Sequence, residues 1–274
     1  VFYCNGTDSG YKSGALGGGL SWGPFNSLGW QCNNPDSNAN EVEIHWNGTH
    51  FHVGARENFV GAPLRYKQCT PQPNGTLNCG PTRIVTTSQN GYLAIAVRND
   101  GIPIVLTRGA FVSGLDHLNL YYANDHLGSS WTAATGNPVL QDSGLSGLTM
   151  TNMSDNRIMI VSGRDNIRSR IFYKSNSTFG TLTTIDTNIG QSCCNVAAKV
   201  LADKNGNTHL IYRVGGTSNI KYTNYTGGSW STLRLISASA VSSTFALGIT
   251  LAPDKLAYTL FHHQPNRIVW NTTN

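Results

Sequence analysis

The stretch THFHVGARENFVGAPLRYKQC (residues 49–69) contains two predicted β-strands joined by a short polar loop. The last residues, KLAYTLFHHQPNRIVWNTTN (255–274), show the same order: a strand, a loop and a strand that ends in an aromatic residue. Arg56 ends the first strand of one copy, where His262 and His263 stand in the other. One pattern written at both ends of the chain predicts a repeat architecture.

The aromatic residue that ends the second strand of the pattern recurs at intervals of about fifty residues. The residues aligned in this way are Tyr66, Tyr122, Tyr173, Tyr222 and Trp270. Each copy has a further strand before the pair and a Gly-rich segment after it, as in YTGGSWSTLRLI (225–236). Four short strands per repeat of this length are typical of a β-propeller blade.

The sequence therefore predicts an all-β chain that forms a single β-propeller domain over residues 1–274, with five four-stranded blades. The predicted blades are 41–88, 89–143, 144–190, 191–240 and 241–274. GGGLSWGPFNSLGW (17–30) resembles the fourth strand of a blade, so residues 1–34 are expected to close the last blade. VFYCNG (1–6) adds a surplus strand, which leaves open a sixth partial blade, an extra edge strand or a strand donated to a neighbouring molecule.

Composition excludes several classes of partner. The net charge is +5, only 12% of residues are charged, and the basic residues do not cluster. We therefore expect no nucleic-acid partner. An apolar run near the roughly 20 residues of a membrane span is absent, and no cofactor motif or metal-ligand pattern is found, so we expect no membrane partner, no cofactor and no metal.

Cysteines and glycosylation sequons both predict a secreted, extracellular protein, read as a mature chain whose leader has been removed. The even number of cysteines, 6, suits an oxidising compartment. The predicted disulfides are Cys4–Cys32, Cys69–Cys79 and the vicinal pair Cys193–Cys194. The predicted N-glycosylation sites are Asn5, Asn47, Asn74, Asn152, Asn176, Asn224 and Asn271.

A basic residue ends the equivalent strand in every predicted blade: Arg56, Arg108, Arg164, Arg213 and His262. In a propeller these strand ends share one face. Arginine makes a two-pronged match to carboxylate or sulfate, so the four arginines are candidate substrate-binding residues. The alternative is that each arginine is a brace repeated with the blade, bonded to a neighbouring carbonyl or to Glu57 or Asp165.

Candidate catalytic residues gather where ring closure would bring the last blade beside the first. They are His262, His263, Tyr66, His52 and Glu43. A lyase acting on a uronate chain needs a cation against the carboxylate and a His or Tyr that moves protons. A hydrolase needs two well-placed carboxylates, which are harder to assemble from these residues. Cys193 and Cys194 are expected to form a rigid apolar contact for a sugar ring.

The blade pattern resembles the bacterial-neuraminidase-repeat, or Asp-box, propellers of sialidases, lectins and some polysaccharide lyases. GTHFHVGARENFVGAPLRY (48–66) is most similar to the ulvan-type lyases of this group, in which a strand that ends in His is followed by a Pro-Leu-x-Tyr strand. Arg56 stands where those proteins often carry the His. The resemblance implies a propeller that acts on a polysaccharide.

The function predicted from the sequence is that of a secreted carbohydrate-active propeller. It would bind an anionic, uronate-containing polysaccharide and cleave it by β-elimination. Two alternatives remain open at this point: a non-catalytic multivalent lectin, and a structural or adhesive extracellular glycoprotein that self-assembles.

Overall fold

The structure is a computed structural model, and strands provide all the regular secondary structure of the residues it describes. These residues are 2–5, 8–15, 21–31, 42–56, 63–87, 93–109, 111–142, 146–163, 165–187, 189, 198–214, 219–237, 247–251, 257–263 and 267–272. Within them there is no helix long and apolar enough to cross a membrane. The chain divides into two compact units, residues 1–140 and 141–274.

Strands follow one another closely along the chain. The first fifteen are β1 (Phe2–Asn5), β2 (Asp8–Tyr11), β3 (Gly14–Ala15), β4 (Ser21–Trp22), β5 (Asn26–Gln31), β6 (Val42–Trp46), β7 (Phe51–Arg56), β8 (Leu64–Pro71), β9 (Leu77–Cys79), β10 (Arg83–Thr86), β11 (Leu93–Val97), β12 (Pro103–Arg108), β13 (Asp116–Ala123), β14 (Trp131–Ala133) and β15 (Leu140–Asp142). The others are β16 (Ser146–Asn152), β17 (Arg157–Gly163), β18 (Ile167–Tyr173), β19 (Thr178–Phe179), β20 (Thr183–Asp186), β21 (Ala198–Ala202), β22 (Thr208–Arg213), β23 (Ile220–Thr226), β24 (Ser229–Trp230), β25 (Arg234–Ser237), β26 (Leu247–Leu251), β27 (Ala257–His263) and β28 (Arg267–Thr272).

Four five-stranded antiparallel sheets share one topology, and we number them first to fourth along the chain: β6–β10, β11–β15, β16–β20 and β21–β25. In each sheet three strands form a meander, and two short strands both pair with the third meander strand. The predicted fourth strand of each blade is thus split into two pieces. The first four predicted blade ranges each contain one of these sheets, and the fifth, 241–274, contains β26, β27 and β28.

The ends of the chain form smaller sheets. β1, β2 and β5 make a three-stranded sheet, β3 pairs with β4, and β26, β27 and β28 make another three-stranded sheet. The segment expected to act as a fourth strand contributes β5, which pairs with β2. Closure of the last blade by residues 1–34 and a single domain over the whole chain stay predictions.

The second strand of each five-stranded sheet is largely buried. In β12 the side chains of Ile104, Val105 and Leu106 are all inaccessible to solvent. This burial on both faces explains why these strands read as short continuous apolar runs rather than as alternating patterns. Each second strand is hydrogen-bonded on both edges, so its register fixes the relative placement of three strands.

Register defines which residues of the repeats are equivalent. We number each second strand from the residue that pairs across the preceding turn, so that position 1 is Phe51, Pro103, Ile158, Thr208 or Ala257. Position 6 is then Arg56, Arg108, Gly163, Arg213 or His262. The predicted alignment was therefore wrong in the third sheet, where Gly163 and not Arg164 is equivalent to Arg56. Arg164 itself lies outside the described residues.

The alignment of the aromatic residues also needs correction. The residues opposite position 4 are Tyr66, Leu120, Ser169, Tyr222 and Trp270. Tyr122 lies opposite Ile104 and Tyr173 opposite Arg157, so neither is equivalent to Tyr66. The sequence alignment matched residue types, whereas turn lengths set the actual register.

We expect Leu106→Ala to lower the free energy of unfolding by about 2–5 kcal/mol, because the side chain is fully buried in a packed core. Leu235→Ala is the control, since Leu235 is 55% exposed in a strand of the fourth sheet and should change stability by less than about 0.5 kcal/mol. Chemical denaturation measures both values. Equal losses in the two variants would contradict the assignment of the core.

Candidate functional site

Most of the predicted catalytic sector lies on one face of the first sheet. Glu43 is opposite Gly54, and His45 is opposite His52. Because strand side chains alternate between faces, these side chains share a face with Arg56 and with Tyr66, which also lies opposite Gly54. We call this set the polar face: Glu43, His45, His52, Arg56 and Tyr66.

The second sheet covers part of the polar face. A Cβ atom on Gly54 would lie 3.1 Å from Leu93 Cδ1, so the absence of a side chain at Gly54 allows this close approach. Tyr66 belongs to a hydrophobic cluster with Leu93 and other residues of the two sheets. His52 and Tyr66 are completely buried as a result, whereas Glu43, His45 and Arg56 are half-buried.

His52 and Tyr66 form a buried hydrogen-bonded pair. The distance from His52 Nδ1 to Tyr66 Oη is 2.7 Å, and Asn47 Nδ2 lies 2.9 Å from His52 Nε2. Because the Asn47 amide nitrogen donates, His52 Nε2 accepts, and its Nδ1–H donates to Tyr66. Burial, with help from His45 and His50, lowers the pKa of His52 to about 3, and burial raises the pKa of Tyr66.

The same pair recurs in the fourth sheet, in the other unit of the chain. His209 occupies position 2, like His52, and its Nδ1 lies 2.7 Å from the hydroxyl of Tyr222. The centroids of the two rings are 6.0 Å apart in both pairs. Recurrence and burial favour a role in packing. The catalytic roles of His52 and Tyr66 stay predictions, and neither side chain is accessible to a substrate in this structure.

We expect stability to fall as the pH is lowered, because unfolded His52 takes up a proton below its ordinary pKa of 6.5, whereas folded His52 does so only near pH 3. Between these values one such group changes the free energy of unfolding by up to about 1.4 kcal/mol per pH unit. His52→Gln should make this dependence shallower in denaturation experiments at several pH values. The exposed His126→Gln is the control, and an unchanged slope in His52→Gln would contradict the assignment.

The guanidinium of Arg108 is already paired with a carboxylate of the protein. Its Nε lies 2.7 Å from Oδ1 of Asp116, and a second guanidinium nitrogen also contacts that oxygen. Asp116 is fully buried at the start of β13, two residues before Leu118, which lies opposite Arg108. This arginine is therefore a brace within its own hairpin. Sequence reasoning missed Asp116, although its position shortly after the basic strand end offered a signal.

Arg56 and Arg213 also occupy position 6, and both are half-buried. Burial lowers the pKa of Arg213. Arg56 belongs to one unit of the chain and Arg213 to the other. Convergence of the strand-end cations over one hollow stays a prediction.

Several predicted residues fall outside what the structure describes. His262 and His263 lie on β27, but the description of this strand does not include their side chains. Cys32, Cys193 and Cys194 lie outside the described residues, and so does the side chain of Cys4. The predicted pairs Cys4–Cys32 and Cys193–Cys194 and the role of Cys193–Cys194 in sugar contact stay predictions.

The Cys69–Cys79 disulfide is confirmed. The two residues lie directly opposite each other on β8 and β9, and their sulfur atoms are bonded. The bridge therefore closes a short hairpin, as the sequence spacing predicted.

Three of the predicted sequons lie in turns of similar geometry. Oδ1 of Asn47, Asn74 and Asn176 accepts hydrogen bonds from the backbone N and the hydroxyl of the threonine two residues later. All three asparagines are exposed. Glycosylation at these and the other sequons stays a prediction.

No protein-family model and no curated protein sequence matches the chain. Solved structures do match. A GH43_1 enzyme from Xanthomonas citri complexed with xylotriose superposes with a TM-score of 0.53 at 11% identity, covering 85% of this chain and 87% of that one. A GH43 β-1,3-galactosidase with galactodeoxynojirimycin gives 0.52 at 10% identity, covering 97% and 95%.

An exo-β-1,3-galactanase from Phanerochaete chrysosporium, in complex with β-1,3-galactotriose, gives a TM-score of 0.53 at 11% identity. The match covers 96% of this chain and 64% of the galactanase chain. At such identities the likeness establishes the fold alone. The chain has the all-β fold of a five-bladed β-propeller, which confirms the predicted fold class. These structures do not support the closer resemblance to ulvan-type lyases or neuraminidase repeats.

Proposed function

We propose that this protein is a carbohydrate-active β-propeller that binds a uronate-containing polysaccharide at the polar face of the first sheet and cleaves it by β-elimination. The similar structures are glycoside hydrolases, two of them named with bound xylotriose or galactotriose, which supports a glycan as the ligand. The observation that carries the proposal is the placement of half-buried Glu43, His45 and Arg56 on one face of paired strands.

The three side chains have complementary chemistry for elimination. Arg56 would neutralise the uronate carboxylate, which makes the neighbouring C–H proton easier to remove. Burial lowers the pKa of His45, so His45 is neutral at neutral pH and able to accept that proton. The carbon–oxygen bond to the leaving sugar then breaks as the new carbon–carbon double bond forms, and the leaving oxygen takes up a proton from His45 or water.

Hydrolysis is the second candidate, since the similar structures are glycoside hydrolases. It requires two carboxyl groups that flank the bond to be cleaved. Within the described part of the first sheet, Glu43 is the single carboxylate. This observation favours elimination over hydrolysis at the polar face.

We also propose that the protein is extracellular, and the Cys69–Cys79 disulfide supports this location. Two alternatives remain from the sequence, a lectin without catalytic activity and a self-assembling structural glycoprotein. Binding of glycans without any product would identify the lectin, and assembly that survives dilution would identify the structural protein.

The test is incubation with uronate polymers, with xylan and with β-1,3-galactan, followed by ultraviolet absorbance for an unsaturated product and by a reducing-end assay. We expect the absorbance signal with a uronate polymer. Arg56→Gln should lower kcat/KM by about 10- to 100-fold, because a charge-assisted hydrogen bond to the substrate contributes about 1.5–3 kcal/mol.

The matched control is Arg65→Gln, because Arg65 is half-buried in the same sheet and points to the opposite face. It should change kcat/KM by less than about twofold. Reducing ends without the absorbance signal would replace elimination by hydrolysis. An absence of both binding and product across the panel would overturn the proposed function.

A further inference from the structure

A cavity of about 520 Å³ lies between the third and fourth sheets, both of which belong to the second unit of the chain. Its walls come from β18 and β20 on one side and from β23 and β24 on the other. This volume lies within the range of sites that hold small ligands. Thr181, Thr183 and Ser229 at its rim are exposed, so solutes can reach it.

The cavity lies where equivalent positions of the first and third sheets carry side chains of different size. Tyr66 in the first sheet is equivalent to Ser169 in the third, since both lie opposite position 4. Trp131 in the second sheet is equivalent to Trp230 in the fourth. Trp131 pairs with Ala123, three residues after Leu120, and Trp230 pairs with Tyr225, three residues after Tyr222. Leu120 and Tyr222 both lie opposite position 4 of their sheets. Tyr66 faces Trp131 between the first and second sheets, and Ser169 faces Trp230 at the equivalent place between the third and fourth sheets.

Between the first and second sheets the tyrosine fills the interface. The Tyr66 ring meets the Trp131 ring edge-on, with 5.2 Å between centroids. A Cβ atom on Gly128 would lie only 2.5 Å from a carbon of the Tyr66 ring, so no space remains there. This interface is closed.

Between the third and fourth sheets the serine leaves space. Ser169 Oγ accepts a hydrogen bond of 2.9 Å from Trp230 Nε1, which holds the indole over the cavity. A Cβ atom on Gly228, at the cavity wall, would meet no other atom within 4 Å. The smaller serine therefore leaves space at this interface where the Tyr66 ring fills the other one.

The lining of the cavity suits a sugar ring. Trp230 and Tyr225 pack edge-to-face with 5.4 Å between centroids, and both are half-buried. Aromatic surfaces of this kind stack against the C–H faces of sugars, while nearby hydroxyl groups exchange hydrogen bonds with sugar hydroxyls. Serine and threonine supply those hydroxyls here: Ser169, Thr181, Thr183, Thr184, Ser229 and Ser231.

The one charged side chain of the lining is already engaged within the protein, which favours a neutral ligand over an acidic one. Arg170 is the one charged side chain among the lining residues, all of which belong to the described part of the chain. Its Nε donates to the backbone oxygen of Gly180 at 2.8 Å, and its guanidinium lies 5.1 Å from the centroid of the Phe179 ring. Alternation directs Arg170 to the face opposite Ser169, away from Trp230.

We infer that this inter-sheet cavity binds a neutral pyranose unit of a glycan, stacked on Trp230. The cavity shares no residue with the polar face of the first sheet. The two sites are therefore tested separately, and loss of catalytic activity at the polar face would leave sugar binding in the cavity intact.

Ser169→Tyr tests the inference directly, because it restores the residue that closes the equivalent interface. Xylotriose and β-1,3-galactotriose serve as neutral probes, and a glucuronate trisaccharide serves as the acidic probe. Calorimetry and ligand-observed NMR should detect at least one neutral probe on the unmodified protein. Ser169→Tyr should weaken that binding more than tenfold. Binding of the acidic probe as tightly as the neutral one would overturn the assignment of ligand class.

A second pair of variants keeps the test decisive if the serine variant fails to fold. Trp230→Ala should abolish binding of the neutral probe, whereas Trp131→Ala, which removes the equivalent indole from the closed interface, should change the affinity by less than twofold. Equal losses in these two variants would overturn the inference. So would full retention of binding by Ser169→Tyr, or an absence of binding of both neutral probes by the unmodified protein.

Discussion

Antiparallel hydrogen bonding along both edges of the second strand is the constraint on which each sheet depends. Once Phe51 pairs with Trp46 across the first turn, the partners of every later residue in β7 follow in order. On the other edge of β7, the pairing of Arg56 with Leu64 places Tyr66 opposite Gly54, on the face that carries His52. A shift by one residue would move this whole set to the opposite face, so register and not residue type determines what each side chain meets.

Much of the fold could be predicted from the sequence, because strands and tight turns are specified by residues that are close together in the chain. Short apolar runs separated by turn residues marked the strands, and the spacing of Cys69 and Cys79 marked a hairpin bridge that the structure contains. The division of the fourth strand was not readable, since β14 and β15 both pair with β13 across the irregular segment around Pro138. Tyr122 and Tyr173 were misaligned because matching by residue type ignores the turn lengths that fix register.

The polar residues were harder to predict, since their chemistry depends on neighbours that are distant in sequence. His52 and Tyr66 are residue types common in catalysis, but both are completely buried, and Tyr66 packs against Leu93 and Trp131 of the next sheet. Burial then leaves His52 neutral over the physiological range, which suits a hydrogen-bonded packing element. The sequence identified Arg108 as one of the repeated cations. Its pairing with Asp116 could not be predicted, because it depends on how the hairpin places the two side chains.

Ser169 shows that equivalent positions in two sheets can have different structural consequences. The seam between the first and second sheets and the seam between the third and fourth are held by different side chains, so one can carry a serine where the other carries a tyrosine. Repeated sheets can therefore differ at one seam without any change in the residues of the other. One side chain at a junction thus decides whether two sheets meet in a packed contact or leave a cavity between them.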